Sequence, residues 1–168
     1  VRATNAHVYA SDVFQMAFSP NGKLLATTGI SDGTESNALA AKIWDTTTHK
    51  LVAAPLGHTD LVIDAAFSPD GKTLATCGVD DSTKFWDTTT WKEIPPSLGQ
   101  KEYVNSVAFS PNGTTLASSS ADGTMKLWDV ASRRELASLK LDWSFWYTAF
   151  SPDGQTLAAR VDASTIEL

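Results

Sequence analysis

One six-residue block occurs four times and constrains the fold more than any other feature: Ala17-Phe18-Ser19-Pro20-Asn21-Gly22, Ala66-Phe67-Ser68-Pro69-Asp70-Gly71, Ala108-Phe109-Ser110-Pro111-Asn112-Gly113 and Ala149-Phe150-Ser151-Pro152-Asp153-Gly154. A second landmark, Trp followed by Asp, stands at Trp44-Asp45, Trp86-Asp87 and Trp128-Asp129, a period of 42 residues. A chain with this period is made of small units that cannot bury an apolar face alone and must stack on their neighbours. From Phe to Trp the second and third copies run 19 positions and the first runs 26, so the first copy carries about seven extra residues around Asp32-Gly33-Thr34-Glu35-Ser36-Asn37. That polar stretch reads as a lengthened surface loop.

Within a copy, Ser-Pro-Asn/Asp-Gly reads as a type I turn, with Pro fixing φ at the second position and Gly taking the left-handed conformation, which closes a tight hairpin. An apolar strand precedes each turn (Val62 to Phe67, Val104 to Phe109) and another follows it (Lys72 to Gly78, Thr114 to Ser119). Thr124 to Trp128 makes a third strand, with Met125 and Leu127 on one face and Lys126 and Trp128 on the other. Apolar bulk on both faces means a sheet sandwiched between neighbours. Weaker patterns at His49 to Leu56, Trp91 to Leu98 and Arg133 to Leu139 predict a fourth strand, on the edge because Pro55, Pro95 and Pro96 lack an amide donor. No helical periodicity extends beyond a turn, so the expected class is all-β, with four-stranded blades.

The second copy, with Gly57-His58, Val62, Ala66 to Gly71, Leu74-Ala75, Asp80 and Trp86-Asp87, resembles the Trp-Asp (WD) repeat of β-propeller proteins, in the regular form common in bacterial members. The third copy is similar, with Gly99, Val104, Ala108 to Gly113, Leu116-Ala117, Asp122-Gly123 and Trp128-Asp129, and the likeness covers nearly the whole chain. The resemblance implies a buried hydrogen-bonded tetrad of His, Ser/Thr, Asp and Trp. The second copy has all four as His58, Thr76, Asp80 and Trp86; the third keeps Ser118, Asp122 and Trp128 but has Gln100 in the His position. The first keeps Trp44 with Tyr9 for His, and the fourth has Leu141 for His and Ala163 at the Asp position, beside Asp162. One complete network in four is therefore expected, with the outer blades the more easily opened.

The resemblance also implies recognition of a peptide or protein loop on the top face, by residues around the start of each innermost strand. Just after the core position stand Phe14, Ile63, Asn105 and Trp146; just before it, Asp12, Leu61, Tyr103 and Ser144. Val79 and Ala121 precede the turn Asp. The candidate protein-binding residues are Phe14, Leu61, Ile63, Tyr103, Asn105, Trp143 and Trp146, a ring with the apolar and aromatic composition of an interaction hot spot. Phe145, in the densest aromatic cluster, takes the core position of Val62 and Val104; Trp143 and Trp146 suit either core packing or surface recognition.

Other chemistry is weakly supported. Thr76, His58 and Asp80 have the residue types of a hydrolytic triad, but the Trp86 indole gives the group a structural role, so no catalytic residue is assigned. No phosphate-binding glycine motif is present, and His7, His49 and His58 lack metal-ligand spacing, so no cofactor and no metal are expected. Asp80-Asp81 reads as tetrad residue plus solvated turn residue rather than as a cation site. Cys77, the single cysteine, stands where other copies have Thr28 and Ser119, and reads as a small buried side chain in a chain without disulfides. Thirteen Lys+Arg against 19 Asp+Glu, a net charge of -6, argue against nucleic-acid and anionic-membrane partners. Arg160 falls at the Cys77 position, where it is either paired with Asp162 or Glu167 or left open to solvent.

The expected organisation is one partial propeller over 1–168, with repeats at 8–56, 57–98, 99–140 and a truncated 141–168, and with 1–8 as an outer strand of a preceding or closing blade. The sequence lacks an initiating Met, and Ser164 to Leu168 align with Gly123 to Leu127, one residue short of a fourth Trp. Three complete repeats and a truncated fourth give about four blades, expected as a fragment of a longer ring, an open arc, or a ring completed by self-association. The functional expectation is a non-enzymatic, cytoplasmic interaction scaffold. A regulatory or sensor module of a larger signalling protein, such as one linked to a kinase, is the alternative. A propeller hydrolase would need clustered acids or histidines.

Overall fold

The computed structural model describes residues 12–29, 41–54, 57–140, 147–160 and 166–167. These form four antiparallel sheets. The first holds β1 (Val13–Phe18), β2 (Leu24–Gly29), β3 (Lys42–Asp45) and β4 (Leu51–Ala53) in chain order, and the second β5 (Val62–Phe67), β6 (Thr73–Gly78), β7 (Ser82–Asp87) and β8 (Leu98–Gly99). The third holds β9 (Val104–Phe109), β10 (Thr115–Ser120), β11 (Thr124–Asp129) and β12 (Glu135–Lys140); the last holds β13 (Tyr147–Phe150), β14 (Leu157–Arg160) and β15 (Ile166–Glu167). No helix occurs among the described residues. The innermost strands β1, β5, β9 and β13 neighbour one another in that order, so the sheets stack as consecutive blades of an all-β propeller arc.

The Ser-Pro-x-Gly turns form as their chemistry dictates. In the second copy the Gly71 amide donates to the Ser68 carbonyl (2.8 Å), Ser68 Oγ donates to Asp70 Oδ1 (2.6 Å) and the Thr73 amide returns to Ser68 Oγ (3.0 Å). Gly71 has φ +71°, a conformation that an L side chain adopts only with strain. The turns also set blade against blade: a Cβ at Gly71 would lie 3.6 Å from Cδ of Pro20 in the preceding copy.

The fourth strands depart from expectation. In the second copy a strand from Trp91 to Leu98 is replaced by a single bridge, Trp86 to Glu93, and the two-residue β8, because Pro95 and Pro96 interrupt the donors that a ladder needs. The first copy pairs only over Leu51–Ala53, and the third over Glu135–Lys140. The inserted loop of the first copy, the segment 1–8 and Pro55 lie outside the described residues.

Apolar side chains fill the gaps between sheets. Ala26 and Ile43 of the first meet Ala65, Leu74 and Trp86 of the second. Ala75, Cys77, Phe85 and Leu98 of the second meet Val104, Val107, Leu116 and Trp128 of the third. Between the third and the last, the described residues of the cluster are Met125 and Ala159, with Leu157 against it. Arg160, whose equivalents Thr28, Cys77 and Ser119 are all 0% exposed, is itself exposed, with its guanidinium 5.8 Å from the centre of the Tyr147 ring.

Candidate functional site

Each of the first three innermost strands contains a β-bulge at the same place. Pairing passes from Val13–Gly29 to Gln15–Thr28, from Val62–Gly78 to Asp64–Cys77, and from Ser106–Ser119 to Val104–Ser120. The skipped residues are Phe14, Ile63 and Asn105, three of the residues singled out for recognition. A bulge breaks strict alternation and re-aims a side chain, so these three escape the blade interior. They line one open cleft of about 550 Å³ together with Asp12, Val13, Tyr103 and Tyr147.

The bulges are locked by polar contacts from neighbouring strands. Thr28 Oγ1 donates to the carbonyl of Ile63 in the next blade (2.8 Å). Asp64, buried beside the bulge, accepts from the amides of Ala65 (2.7 Å) and Val107 (3.0 Å), and the Thr148 amide donates to Ser106 Oγ (3.2 Å). Burial pushes the Asp64 carboxyl above its ordinary value, against the amide and hydroxyl donors that favour its charge. Gln15, Asp64 and Ser106 thus form a series in which one blade's inner strand reaches the next. This linkage was not anticipated, although a polar residue inside the run Val-Ile-Asp-Ala-Ala-Phe was its signal.

Leu61 stays out of the cleft. Its carbonyl accepts from the Val79 amide (2.9 Å) and lies 2.0 Å from where a Cβ on Gly78 would stand, so that position admits only glycine. Val13, aligned with the buried Val62 and Val104, is exposed and lines the cleft. Tyr147 also joins it: three residues before Phe150, it takes the position that Ser106 holds before Phe109. Trp143, Trp146, Phe145 and Ser144 lie outside the described residues. The lining is mainly apolar, with the Asp12 carboxylate and the Asn105 amide as polar groups.

Beside this surface the tetrad of the second copy is assembled inside the blade. Trp86 Nε1 donates to Thr76 Oγ1 (2.8 Å), which lies 2.8 Å from His58 Nε2. The ionised Asp80 carboxylate can only accept, so Nδ1 carries the imidazole proton and donates to Asp80 Oδ1 (2.9 Å), leaving Nε2 to accept from the Thr76 hydroxyl; Asp80 further accepts from Ser82 Oγ (2.7 Å) and the Thr59 amide (3.0 Å). Burial holds the His58 pKa below its ordinary value despite the adjoining carboxylate. For Asp80, burial acts upward, but the bonds from His58 and Ser82 outweigh it and lower the pKa.

The third copy closes a second network, where one in four was expected. Trp128 Nε1 donates to Ser118 Oγ (2.8 Å), Ser118 Oγ to Gln100 Oε1 (2.6 Å), Gln100 Nε2 to Thr124 Oγ1 (3.2 Å) and Thr124 Oγ1 to Asp122 Oδ1 (2.5 Å). Gln100 with Thr124 as a relay does the work of histidine. In the first copy Trp44 Nε1 donates to Thr27 Oγ1 (3.0 Å), while Tyr9 lies outside the described residues, as do Leu141, Asp162 and Ala163.

Two other sequence candidates are plain. Cys77 is fully buried, and burial raises its thiol pKa well above the usual range, which leaves it unreactive. Asp81 is an exposed turn residue with φ +61° whose carbonyl accepts from the Gln100 amide (2.9 Å). Compared with known families, the chain matches the model described as WD domain, G-beta repeat (WD40) over residues 1–34, 49–87 and 94–129, together more than half of its length. Comparison with curated proteins gives no match.

Proposed function

The chain belongs to the WD40 family, whose repeats are generally protein-interaction scaffolds, and from that premise we propose that it is a non-catalytic scaffold capturing an extended peptide or protein loop in the bulge-lined cleft. The observation that carries this reading is the convergence of Phe14, Ile63 and Asn105 on one cleft through the same bulge in three successive blades, with Tyr103 beside them. An aromatic surface of this kind, with few charges, holds an apolar anchor residue, while Asn105 and Asp12 take its backbone or a basic neighbour.

Burial favours this over hydrolysis. Thr76, His58 and Asp80 are hydrogen-bonded with the polarity of a hydrolase triad, but the His58 side chain is 1% exposed, and no acyl group can reach a hydroxyl held between it and Trp86.

A random peptide library displayed on phage and selected against the chain tests the proposal. Recovered peptides should bind with a Kd measurable by calorimetry and weaken about 10- to 30-fold against Tyr103→Ala or Phe14→Ala, the effect of removing an anchor contact of about 1.4 to 2 kcal/mol. Peptides that bind the folded variants as well as the parent, or a selection that yields none, would sink it.

A further inference from the structure

The two ends of the blades differ in charge, and the cleft opens at the acidic end. Where the innermost strands begin, Asp60 and Glu102 are exposed just ahead of β5 and β9, Asp81 is exposed between β6 and β7, and Asp12 lines the cleft. Asp80 and Asp122 lie at the same end. For Asp122, as for Asp80, burial acts upward, but accepted hydrogen bonds, here from Thr124, outweigh it and lower the pKa. Both are therefore charged, and neither the neutral His58 nor Gln100 cancels them. Lys101 shares these loops, while the Lys140 ammonium donates to the Asp122 carbonyl. Lys84 and Lys126, midway along β7 and β11, are held by Glu93 and Glu135 (3.6 and 2.9 Å). At the opposite end Lys23, Lys50, Lys72, Lys92 and Arg134 are exposed in the turns, where Asp45, Asp87 and Asp129 accept turn amides. The acidic groups other than Asp12 belong to the second and third sheets, each of which packs on a described neighbour at both sides.

We infer that the segment captured in the cleft is basic: an apolar side chain seats against Ile63 and Tyr103, and lysines or arginines flanking it meet the surrounding carboxylates. This partner class rests on peptide capture in the cleft and adds to it the partner's charge. A hollow with apolar walls, rimmed by one sign of charge, focuses its field outward, so a cation-bearing segment is drawn to this end and an acidic one is turned away. The like-charge penalty against acidic segments supplies the discrimination that an apolar cleft alone lacks. The net charge of -6 acts in the same direction at longer range.

Two phage libraries that share one random core, flanked by Lys-Lys in the first and by Glu-Glu in the second, are selected against the chain, and the recovered peptides are synthesised for biolayer interferometry. Binders should come from the Lys-flanked library, and their on-rates should fall about 10-fold between about 50 and about 300 mM salt. Asp60→Asn combined with Glu102→Gln should lower the on-rate about 3- to 10-fold with the off-rate nearly unchanged, the signature of rim charges. Asp60→Asn keeps the oxygen that accepts the Leu61 amide (2.7 Å), and circular dichroism verifies that the variant folds. Tyr103→Ala, by contrast, should raise the off-rate. Binders drawn equally from both libraries or mainly from the Glu-flanked one, or on-rates indifferent to salt and to the paired change, would overturn the basic partner; if Tyr103→Ala still weakens them, capture in the cleft stands. Lys-flanked binders that ignore Tyr103→Ala, or no binders from either library, would overturn both.

Discussion

At the scale of single residues, the two closed networks differ in one group that titrates. His58 has its pKa depressed by burial, so the folded protein resists a proton that the unfolded chain accepts below about 6.5. Stability from this site is complete above that pH and is lost as pH falls toward the folded value, with a slope of at most about 1.4 kcal/mol per pH unit. Asp80, also depressed, contributes in a separate window: its share is complete above its ordinary value near 3.8 and is lost below that. His58→Gln, which copies the third blade, should therefore flatten the fall in unfolding free energy between pH 7 and pH 5, whatever it does to the level at pH 7. Urea unfolding at the two pH values measures this, and an unchanged slope would reject the assignment. Thr83 offers a second test. Its hydroxyl is buried with no hydrogen-bond partner among the described residues. Thr83→Val keeps the shape and removes the orphan, so it should stabilise by about 1 kcal/mol in the same assay. The sequence foretold His58, Thr76, Asp80 and Trp86 because those side chains carry the family pattern. It hid the relay through Thr124, since a threonine there reads as an ordinary strand residue until Gln100 reaches across to it.

At the scale of elements, the Trp-Asp turns store backbone strain for the sake of blade packing. Asp87 Oδ1 accepts from the amides of Thr89 and Thr90 (3.0 and 2.7 Å) and from Thr90 Oγ1 (2.9 Å), bonds that also lower its pKa. The chain then passes through a left-handed residue that is not glycine: His49, Trp91 and Arg133 have φ of 58°, 55° and 61°. Two of these lay their side chains over the preceding blade. The Arg133 guanidinium is 3.5 Å from the centre of the Phe85 ring, and Trp91 packs against the cluster between the first and second sheets. His49 is exposed. His49→Gly should thus relieve strain with little lost in packing and stabilise by about 0.5 to 1 kcal/mol. Arg133→Gly gains the same relief but uncovers Phe85, and should destabilise by about 1 kcal/mol net. If both changes move the melting temperature in the same direction, side-chain cover is not the reason for the strained conformer. These positions were invisible in the sequence because no glycine or asparagine announces them. The Ser-Pro-x-Gly hairpins were legible for the opposite reason: their turn chemistry is local, and four copies repeat it. The bulges fall between these cases. Alignment of the copies pointed to Phe14, Ile63 and Asn105, but only the ladder shows that each is skipped, and only the break at Pro95 and Pro96 explains why β8 is so short.

At the scale of the whole molecule, stability in a stacked array is close to a sum over blades and junctions, so unequal junctions mean unequal opening. Repeat similarity predicted blades alike in outline; the residues between them decide how firmly each is held. β6 and β10 are buried at five of their six positions, whereas in β13 and β14 only Ala159 is buried. A fully buried apolar side chain contributes roughly 1.5 to 3 kcal/mol, so β13 and β14 are held less firmly than β6 and β10. Hydrogen exchange read by mass spectrometry should accordingly show the amides of β13 and β14 exchanging at least about 100-fold faster than those of β6 and β10, since each factor of ten corresponds to about 1.4 kcal/mol. Uniform protection across the four sheets would mean that the arc unfolds as one cooperative unit and that side-chain burial within a sheet does not set the order of opening.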